Sequence, residues 1–111
     1  QTADSEEALS FRIVEQIPQF PGGMEALTRW LTQHLRYPPQ ARQQKIQGRV
    51  VVSFIINKDG RVSDGKIEQA VHPLLDREAL RIVSLMPRWT PGQENDKPCR
   101  TLFAIPIVFQ L

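Results

Sequence analysis

The sequence predicts an α+β domain: a three-stranded antiparallel sheet in the order 2-1-3, with two helices packed on one face. Apolar residues recur with helical spacing in two segments and with strand spacing in three, in the order helix, strand, strand, helix, strand. An Asn-Lys-Asp-Gly turn joins the first two strands into a hairpin. A proline inside the last strand indicates that this strand lies at an edge. A right-handed crossover then places it beside the first strand.

The chain has 111 residues, which is enough for one domain and too few for two. We expect residues 1–19 to be a linker end or extended lead-in, with a β-prone stretch at Phe11–Ile17, and residues 20–111 to form the domain. No run of 18 apolar residues and no signal peptide occurs. We therefore expect this sequence to be a fragment whose anchor or targeting segment is left out.

The first helix follows the glycine pair Gly22-Gly23. Its apolar stripe has the spacing i, i+3, i+7 and i+11, formed by Met24, Leu27, Leu31 and Leu35. The run Tyr37-Pro38-Pro39 ends it, because a residue before proline avoids the helical region. Proline is favoured at a first helical position, so Pro39 is expected to open a short second helical turn.

The second main helix opens at Pro73 and stops at Pro87. Its apolar face consists of Leu75, Ala79, Val83 and Met86, with Ile82 beside them. Asp76 and Glu78 lie in its first turn, where carboxylates interact favourably with the helix dipole. A polar loop through Lys97 is predicted after this helix.

The strands show a period of two. Val50, Val52, Phe54 and Ile56 of the first strand point one way. In the second strand, Val62 and Ile67 have opposite parity, so a bulge at Asp64-Gly65 is needed to place them on one face. The third strand is predicted at Thr101–Leu111, and its inward face consists of Phe103, Ile105, Ile107, Phe109 and Leu111.

The third strand is also expected to have an open edge. It carries no charge between Thr101 and Leu111, although edges are usually protected by charges. If the missing donor of Pro106 faces the open side, Leu102, Ala104 and Val108 present their N–H groups there. A guest strand would then pair well near Leu102 to Ala104 and lose one hydrogen bond at Pro106.

Nothing in the sequence has the pattern of an active site or metal site. His34 flanks the first apolar stripe and His72 precedes Pro73, which suggests a half-buried structural histidine and a turn or cap residue. Neither has cysteines or carboxylates at metal-ligand spacing. Cys99, the one cysteine, cannot form an internal disulfide and is expected to lie in a loop that enters a strand. We expect no catalytic residues, metal or cofactor.

The net charge of +2 is too small to indicate nucleic-acid binding. Its distribution is uneven, because the stretch from Ala26 to Lys58 contains six basic residues and no acidic one. They are Arg29, Arg36, Arg42, Lys45, Arg49 and Lys58. This stretch predicts either a solvated face or a surface that receives an acidic partner.

An ordered set of short motifs resembles the TonB C-terminal domain, in its Bacteroidetes-type form. The motifs extend from Arg36 to Leu111; each is weak alone, and the set is specific. They are Tyr37-Pro38, Ala41, Gly48-Arg49-Val50, Phe54 to Ile56 before Asp59-Gly60-Arg61-Val62, Asp76 with Ala79-Leu80, Trp89-Thr90-Pro91-Gly92 and Pro106-Ile107-Val108-Phe109.

The resemblance implies a non-enzymatic role in periplasmic energy transduction. In this family a membrane-anchored TonB, driven by the inner-membrane ExbB–ExbD motor, captures the TonB box of outer-membrane TonB-dependent receptors by strand addition. Carried over, the TonB box would dock on Arg100, Thr101, Leu102, Phe103, Ala104 and Ile105. Arg36, Tyr37 and Pro38 would contact the receptor's plug.

Two residues depart from the enterobacterial form of the family. That form has no proline matching Pro106, which bears on the length of the paired segment, and it has a glutamine in place of Arg36. Three other interpretations remain open: a TonB-like binding module of a signalling or antirepressor-type membrane peptidase, a TolA-like envelope protein, and a homodimer through the edge strand.

Overall fold

The computed structural model describes residues 17–111. They form helices α1 (Met24–His34), α2 (Pro39–Gln43) and α3 (Pro73–Ser84), and strands β1 (Gly48–Ile56), β2 (Val62–Gln69), β3 (Gly92–Glu94), β4 (Lys97–Cys99) and β5 (Thr101–Phe109). The β-prone stretch at Phe11–Ile17 lies outside the described residues except for its last one. None of the described helices is long and apolar enough to cross a membrane.

The main sheet has the order β2-β1-β5, with β1 antiparallel to both neighbours. This confirms the predicted order, since β5 is the third strand of the sequence analysis. The register between β1 and β5 is unbroken from the Gly48–Phe109 pair to the Ile56–Thr101 pair. The alternating side chains of β1 that were predicted to point inward are fully buried: Val50, Val52, Phe54 and Ile56.

β2 carries the predicted bulge. Ser63 and Lys66 pair with β1 residues that are two positions apart, so β2 has one extra residue at Asp64-Gly65. Asp64 adopts a left-handed backbone conformation with φ 56°. The bulge brings Val62 and Ile67 to the same face, and both pack against the core.

A second bulge in β2 does not follow from the parity of apolar residues. Ile67 and Gln69 pair with adjacent residues of β1, which leaves Glu68 as the extra residue. The Glu68 carboxylate accepts a hydrogen bond from Ser53 Oγ at 2.7 Å. β2 is therefore irregular at two places, whereas β5 is regular.

The helices pack on one face of the main sheet, as predicted, and share a single core with it. Their buried members are Leu27 of α1, Ala41 of α2, and Leu75, Ala79, Ile82 and Val83 of α3. Two expected core residues are exposed. Met24, 62% exposed, is the first residue of α1, and Leu111, 52% exposed, lies beyond the last paired residue of β5, Phe109.

The segment predicted as a polar loop after α3 contains a small hairpin, β3–β4, and that part of the prediction is wrong. Asn95 and Asp96, both with positive φ, form its turn. Each strand has only three residues, so no alternation of apolar side chains marks it in the sequence. Next to this hairpin, Thr90 forms an isolated bridge with Gln19.

Trp89 links the β1–β2 turn to the core through ring packing and a backbone hydrogen bond. Its ring is 3% exposed and lies against Phe20, Phe54 and Phe103, with centroids 5.5, 5.7 and 5.3 Å away. Its backbone N–H donates to the Gly60 carbonyl at 2.8 Å. Gly60 has the predicted positive φ, and a Cβ there would lie 2.0 Å from the Trp89 carbonyl oxygen. The turn therefore requires glycine.

Candidate partner-binding site

β5 is paired on one side only. Within residues 17–111 its strand partner is β1, so its other edge bears no strand. Ile105, Ile107 and Phe109 are buried, whereas the outward side chains are exposed: Leu102, Ala104, Pro106 and Val108. This long, uncharged edge lacks the charges that usually protect edge strands.

The position of Pro106 indicates which backbone groups face the open edge. Pro106 lies opposite Val51 in an unbroken register, and a proline turned toward β1 would remove a ladder hydrogen bond. Its nitrogen is therefore expected to face away from β1. Because alternate residues direct their N–H and C=O groups the same way, Leu102 and Ala104 then point theirs to the open edge.

α1 lies beside the second half of this edge. A cavity of about 310 Å³ on the helix layer lies between the α1–α2 connection and α3, away from β5. A smaller one of about 220 Å³ is lined by Thr28, Leu31 and Thr32 of α1, by Leu35 directly after α1, and by Pro106, Ile107 and Val108. The first half of β5, Thr101–Ile105, is not part of that lining. The open stretch thus contains five of the six residues predicted to dock the TonB box, and the sixth, Arg100, directly precedes β5.

Arg100 is held against the β1–β2 hairpin. Its Nε donates to Asn57 Oδ1 at 3.3 Å, and its Nη2 lies 3.9 Å from Asp64 Oδ2. These contacts join the entry of β5 to the turn region that Trp89 fastens to the core. A peptide strand that pairs with Thr101–Ile105 would therefore bind to a strand whose entry at Arg100 is held in place by contacts with the hairpin.

The Arg36-Tyr37-Pro38 segment is tied to α3 by a buried carboxylate. Glu78 is 8% exposed and accepts hydrogen bonds from Arg81 Nε, Arg81 Nη2 and the Arg36 backbone N–H, each at 2.7 Å. Arg81 also reaches the carbonyl of His34 at 3.2 Å. Burial disfavours the charged form, but Arg81 and the Arg36 N–H outweigh it and lower the pKa of Glu78. The prediction that Glu78 lies in the first turn is wrong, because α3 begins at Pro73 and Asp76 is the acidic residue of that turn. The predicted contact with the helix dipole therefore does not reveal this link.

Both the hydroxyl and the ring of Tyr37 make contacts within the domain. Its hydroxyl donates to the Ile46 carbonyl, and its ring lies edge-on to Phe109 with centroids 5.7 Å apart. The Arg42 guanidinium carbon lies 5.3 Å from the ring centroid. The hydroxyl is therefore occupied, and the more accessible neighbour is Arg36, whose side chain is exposed.

The structure separates the nine predicted contact residues into two patches. Tyr37 touches Phe109 at the end of β5, whereas the predicted docking segment begins at Arg100, directly before the first residue of β5, Thr101. Eight residue steps of a strand correspond to about 26 Å. A partner that meets both patches must therefore span most of the length of β5.

The histidines have structural contacts. His72 Nδ1 accepts from the Leu74 N–H at 3.1 Å and caps α3, as predicted. His34 stacks on Trp30 with centroids 4.5 Å apart, but it is exposed rather than half-buried because it lies at the end of α1. Across the described part of the chain, no group of three or more metal-ligating side chains occurs.

Comparisons with known proteins agree with this geometry. The sequence profile of a family described as "Gram-negative bacterial TonB protein C-terminal" matches residues 33–111, which leaves nearly all of α1 outside the match. Two NMR solution structures of the Helicobacter pylori TonB-CTD are similar. The one of residues 179–285 has 28% identity, a TM-score of 0.60 and 79% coverage of both chains. The one of residues 194–285 has 27% identity, a TM-score of 0.58, and coverage of 78% of this chain and 91% of that chain. No curated protein matches.

Proposed function

Because this chain belongs to the family of Gram-negative bacterial TonB protein C-terminal domains, we propose that it is the periplasmic receptor-binding domain of a TonB-type energy transducer. It acts by binding rather than by catalysis. It captures the TonB box of an outer-membrane TonB-dependent receptor by strand addition to β5. The free, uncharged edge at Thr101–Ile105 carries this proposal.

Main-chain hydrogen bonds supply the affinity of this capture. Leu102 and Ala104 each offer one N–H and one C=O to the guest, about four bonds in all. At a net ~1 kcal/mol each, and after the cost of ordering the guest, such pairing gives weak, reversible binding. Pro106 has no N–H to offer, and α1 lies alongside it. The guest therefore leaves the edge near Ile105.

The core offers a direct route for force. In the full protein, the chain before residue 17 would lead to an inner-membrane anchor driven by ExbB–ExbD. Gln19 exchanges hydrogen bonds with Thr90 at 3.0 and 2.8 Å, and the adjacent Phe20 packs on Trp89. Trp89 in turn packs on Phe103 of β5. Tension on the amino end would pass through these rings to the strand that holds the receptor.

Disulfide trapping tests the docking edge. In a Cys99→Ser background, Leu102→Cys on β5 and Lys66→Cys on β2 are mixed with a TonB-box peptide that carries one cysteine. Cross-strand neighbours approach closely enough for a disulfide, so Leu102→Cys should react and Lys66→Cys should not. Equal trapping at both positions, or at neither, would refute capture on β5.

The same experiment tests the dimer interpretation. Without peptide, a homodimer through β5 would link Leu102→Cys to its own copy in a yield that rises with protein concentration. A monomer that docks a receptor should show this product only weakly. A dominant self-linked product would favour strand pairing between copies over receptor capture.

A further inference from the structure

We propose that the cavity between the α1–α2 connection and α3 is a second contact site, which binds an acidic peptide segment through Arg36 and Arg77. This deepens the contact between Arg36-Tyr37-Pro38 and the receptor's plug that the family resemblance implies, and the identity of the partner rests on the proposed function. The preference of the site for an acidic segment follows from the charges and the shape of the cavity.

The cavity has a volume of about 310 Å³ and two differing walls. The connection between α1 and α2 supplies Arg36, Tyr37 and Pro38, and α3 supplies Leu74 and Arg77 among others. Tyr37, Pro38 and Leu74 are half-buried and give an apolar surface, whereas both arginines are exposed at its margin. This arrangement suits a side chain with an aliphatic stem and a charged end.

The charge balance of the lining favours an anion. Three arginines and one acid, Glu78, line the cavity, which leaves a net charge of +2. Both Glu78 oxygens already accept hydrogen bonds from Arg81 and the Arg36 N–H. Glu78 is therefore occupied by Arg81, while the guanidinium groups of Arg36 and Arg77 have no ion-pair partner among the described residues.

The backbone segments that carry the two arginines are held together before any partner arrives. The backbone N–H of Arg36 is fixed to Glu78, and Arg77 precedes Glu78 on α3. The Arg42 guanidinium over Tyr37 adds positive charge beside the cavity. Guanidinium groups bind carboxylates in a planar two-bond geometry, so a cavity lined by both arginines favours Asp or Glu side chains.

An NMR titration with acetyl-tetraglutamate amide tests this site. Wild type, Arg77→Gln and the control Arg88→Gln are compared; Arg88 is exposed and does not line the cavity, so both variants lose the same charge. We expect shifts at Arg36, Leu74 and Arg77. Affinity should fall about threefold or more in Arg77→Gln, stay within about twofold in Arg88→Gln, and weaken with salt. Acetyl-tetraglutamine amide should cause no shifts.

Other outcomes would overturn the proposal. Equal losses in the two variants, or shifts spread over all basic residues, would mean non-specific attraction. The absence of chemical-shift changes with acetyl-tetraglutamate amide would also refute the proposed site. Titrating the same samples with TonB-box peptides separates the two ideas, because strand capture shifts amides at Thr101–Ile105 whether or not the cavity binds an acid.

Discussion

The two edges of the main sheet are built in opposite ways. β2 carries charges at Asp64, Lys66 and Glu68 and has two bulges. β5 carries no charge and keeps an unbroken register with β1 over its whole length. Charges and bulges prevent an edge from pairing with other strands. One edge of the domain is therefore protected, and the other is left able to accept a strand.

The difference extends to what supports each edge. The outward side chains of the open edge are exposed, with Val108 at 54%, whereas the inward residues Ile105, Ile107 and Phe109 are buried and Phe103 is half-buried. Phe103 packs on Trp89, and Arg100 donates a hydrogen bond to Asn57, so the half of β5 that is proposed to dock the peptide is supported by two contacts. A rigid, uncharged strand loses little entropy when it takes up a guest. The four changes below test this comparison.

Gly60→Ala should have the largest effect, because it breaks the hairpin that forms the protected edge. The new Cβ would lie 2.0 Å from the Trp89 carbonyl at a φ of +88°. We expect a loss of about 3 kcal/mol or more in the free energy of unfolding, measured by urea denaturation. Gly23→Ala is the control, because its φ is also +88° but nothing lies within 4 Å, and it should cost about 1–3 kcal/mol through backbone strain alone. Equal losses would show that the contact with Trp89 is unimportant.

Glu78→Gln should weaken the helix layer while leaving both edges intact. It removes a charged acceptor from Arg81 and the Arg36 N–H, and we expect a loss of about 2 kcal/mol at neutral pH. The pKa of Glu78 is lowered in the folded state, so its contribution is complete above the ordinary value of 4.5 and is lost as pH falls through the lowered pKa.

Urea denaturation from pH 7 to pH 3 would measure this dependence on Glu78. The stability difference between wild type and Glu78→Gln should be constant near neutrality and shrink in acid. A difference independent of pH would contradict the assigned role of the carboxylate. Binding of a TonB-box peptide to β5 should be unchanged, because Glu78 touches neither edge.

Ala104→Pro should weaken peptide binding at the open edge of β5 and leave the pairing of β5 with β1 unchanged. Its N–H is expected to face away from β1, so the substitution removes a donor to the guest without removing a ladder bond. Affinity for a TonB-box peptide, measured by calorimetry, should fall about tenfold, or about 1.4 kcal/mol. Val108→Pro occupies the same kind of position beside α1 and should change affinity by less than about twofold. Equal losses would mean that the guest runs along the whole strand.

Lys66→Thr should have the smallest effect. It removes a charge from the protected edge, but the bulges at Asp64-Gly65 and Glu68 remain. Stability should change by less than about 0.5 kcal/mol, and NMR titration should show no peptide binding at β2. Peptide binding at β2 in this variant would show that charge alone protects the edge.

Periodicity is sufficient to predict the sheet and the helices that cover it. Val50 to Ile56 alternate cleanly, and the mismatch between Val62 and Ile67 is enough to locate the first bulge. Pro106 identifies the edge strand, because no central strand tolerates it. These features are local and repeat along the chain, so the sequence contains them directly.

Contacts between distant residues leave no such pattern. The link from Glu78 to Arg36 joins positions 42 residues apart, and no spacing rule indicates it. The β3–β4 hairpin is too short to show alternation. The separation of Tyr37 from Thr101 depends on which end of β5 receives the α1–α2 connection. The motifs predict the contact residues of the proposed site, but only the fold shows that these residues form two patches.

The most direct test of strand capture is an NMR titration of the ¹⁵N-labelled domain with TonB-box peptides from receptors of the same organism. The largest shifts should fall on Arg100 to Ile105, led by the amides of Leu102 and Ala104, with none on β2 and none from a scrambled peptide. If no peptide moves these amides at millimolar concentration, or if the shifts centre on β2, then β5 is not the docking edge.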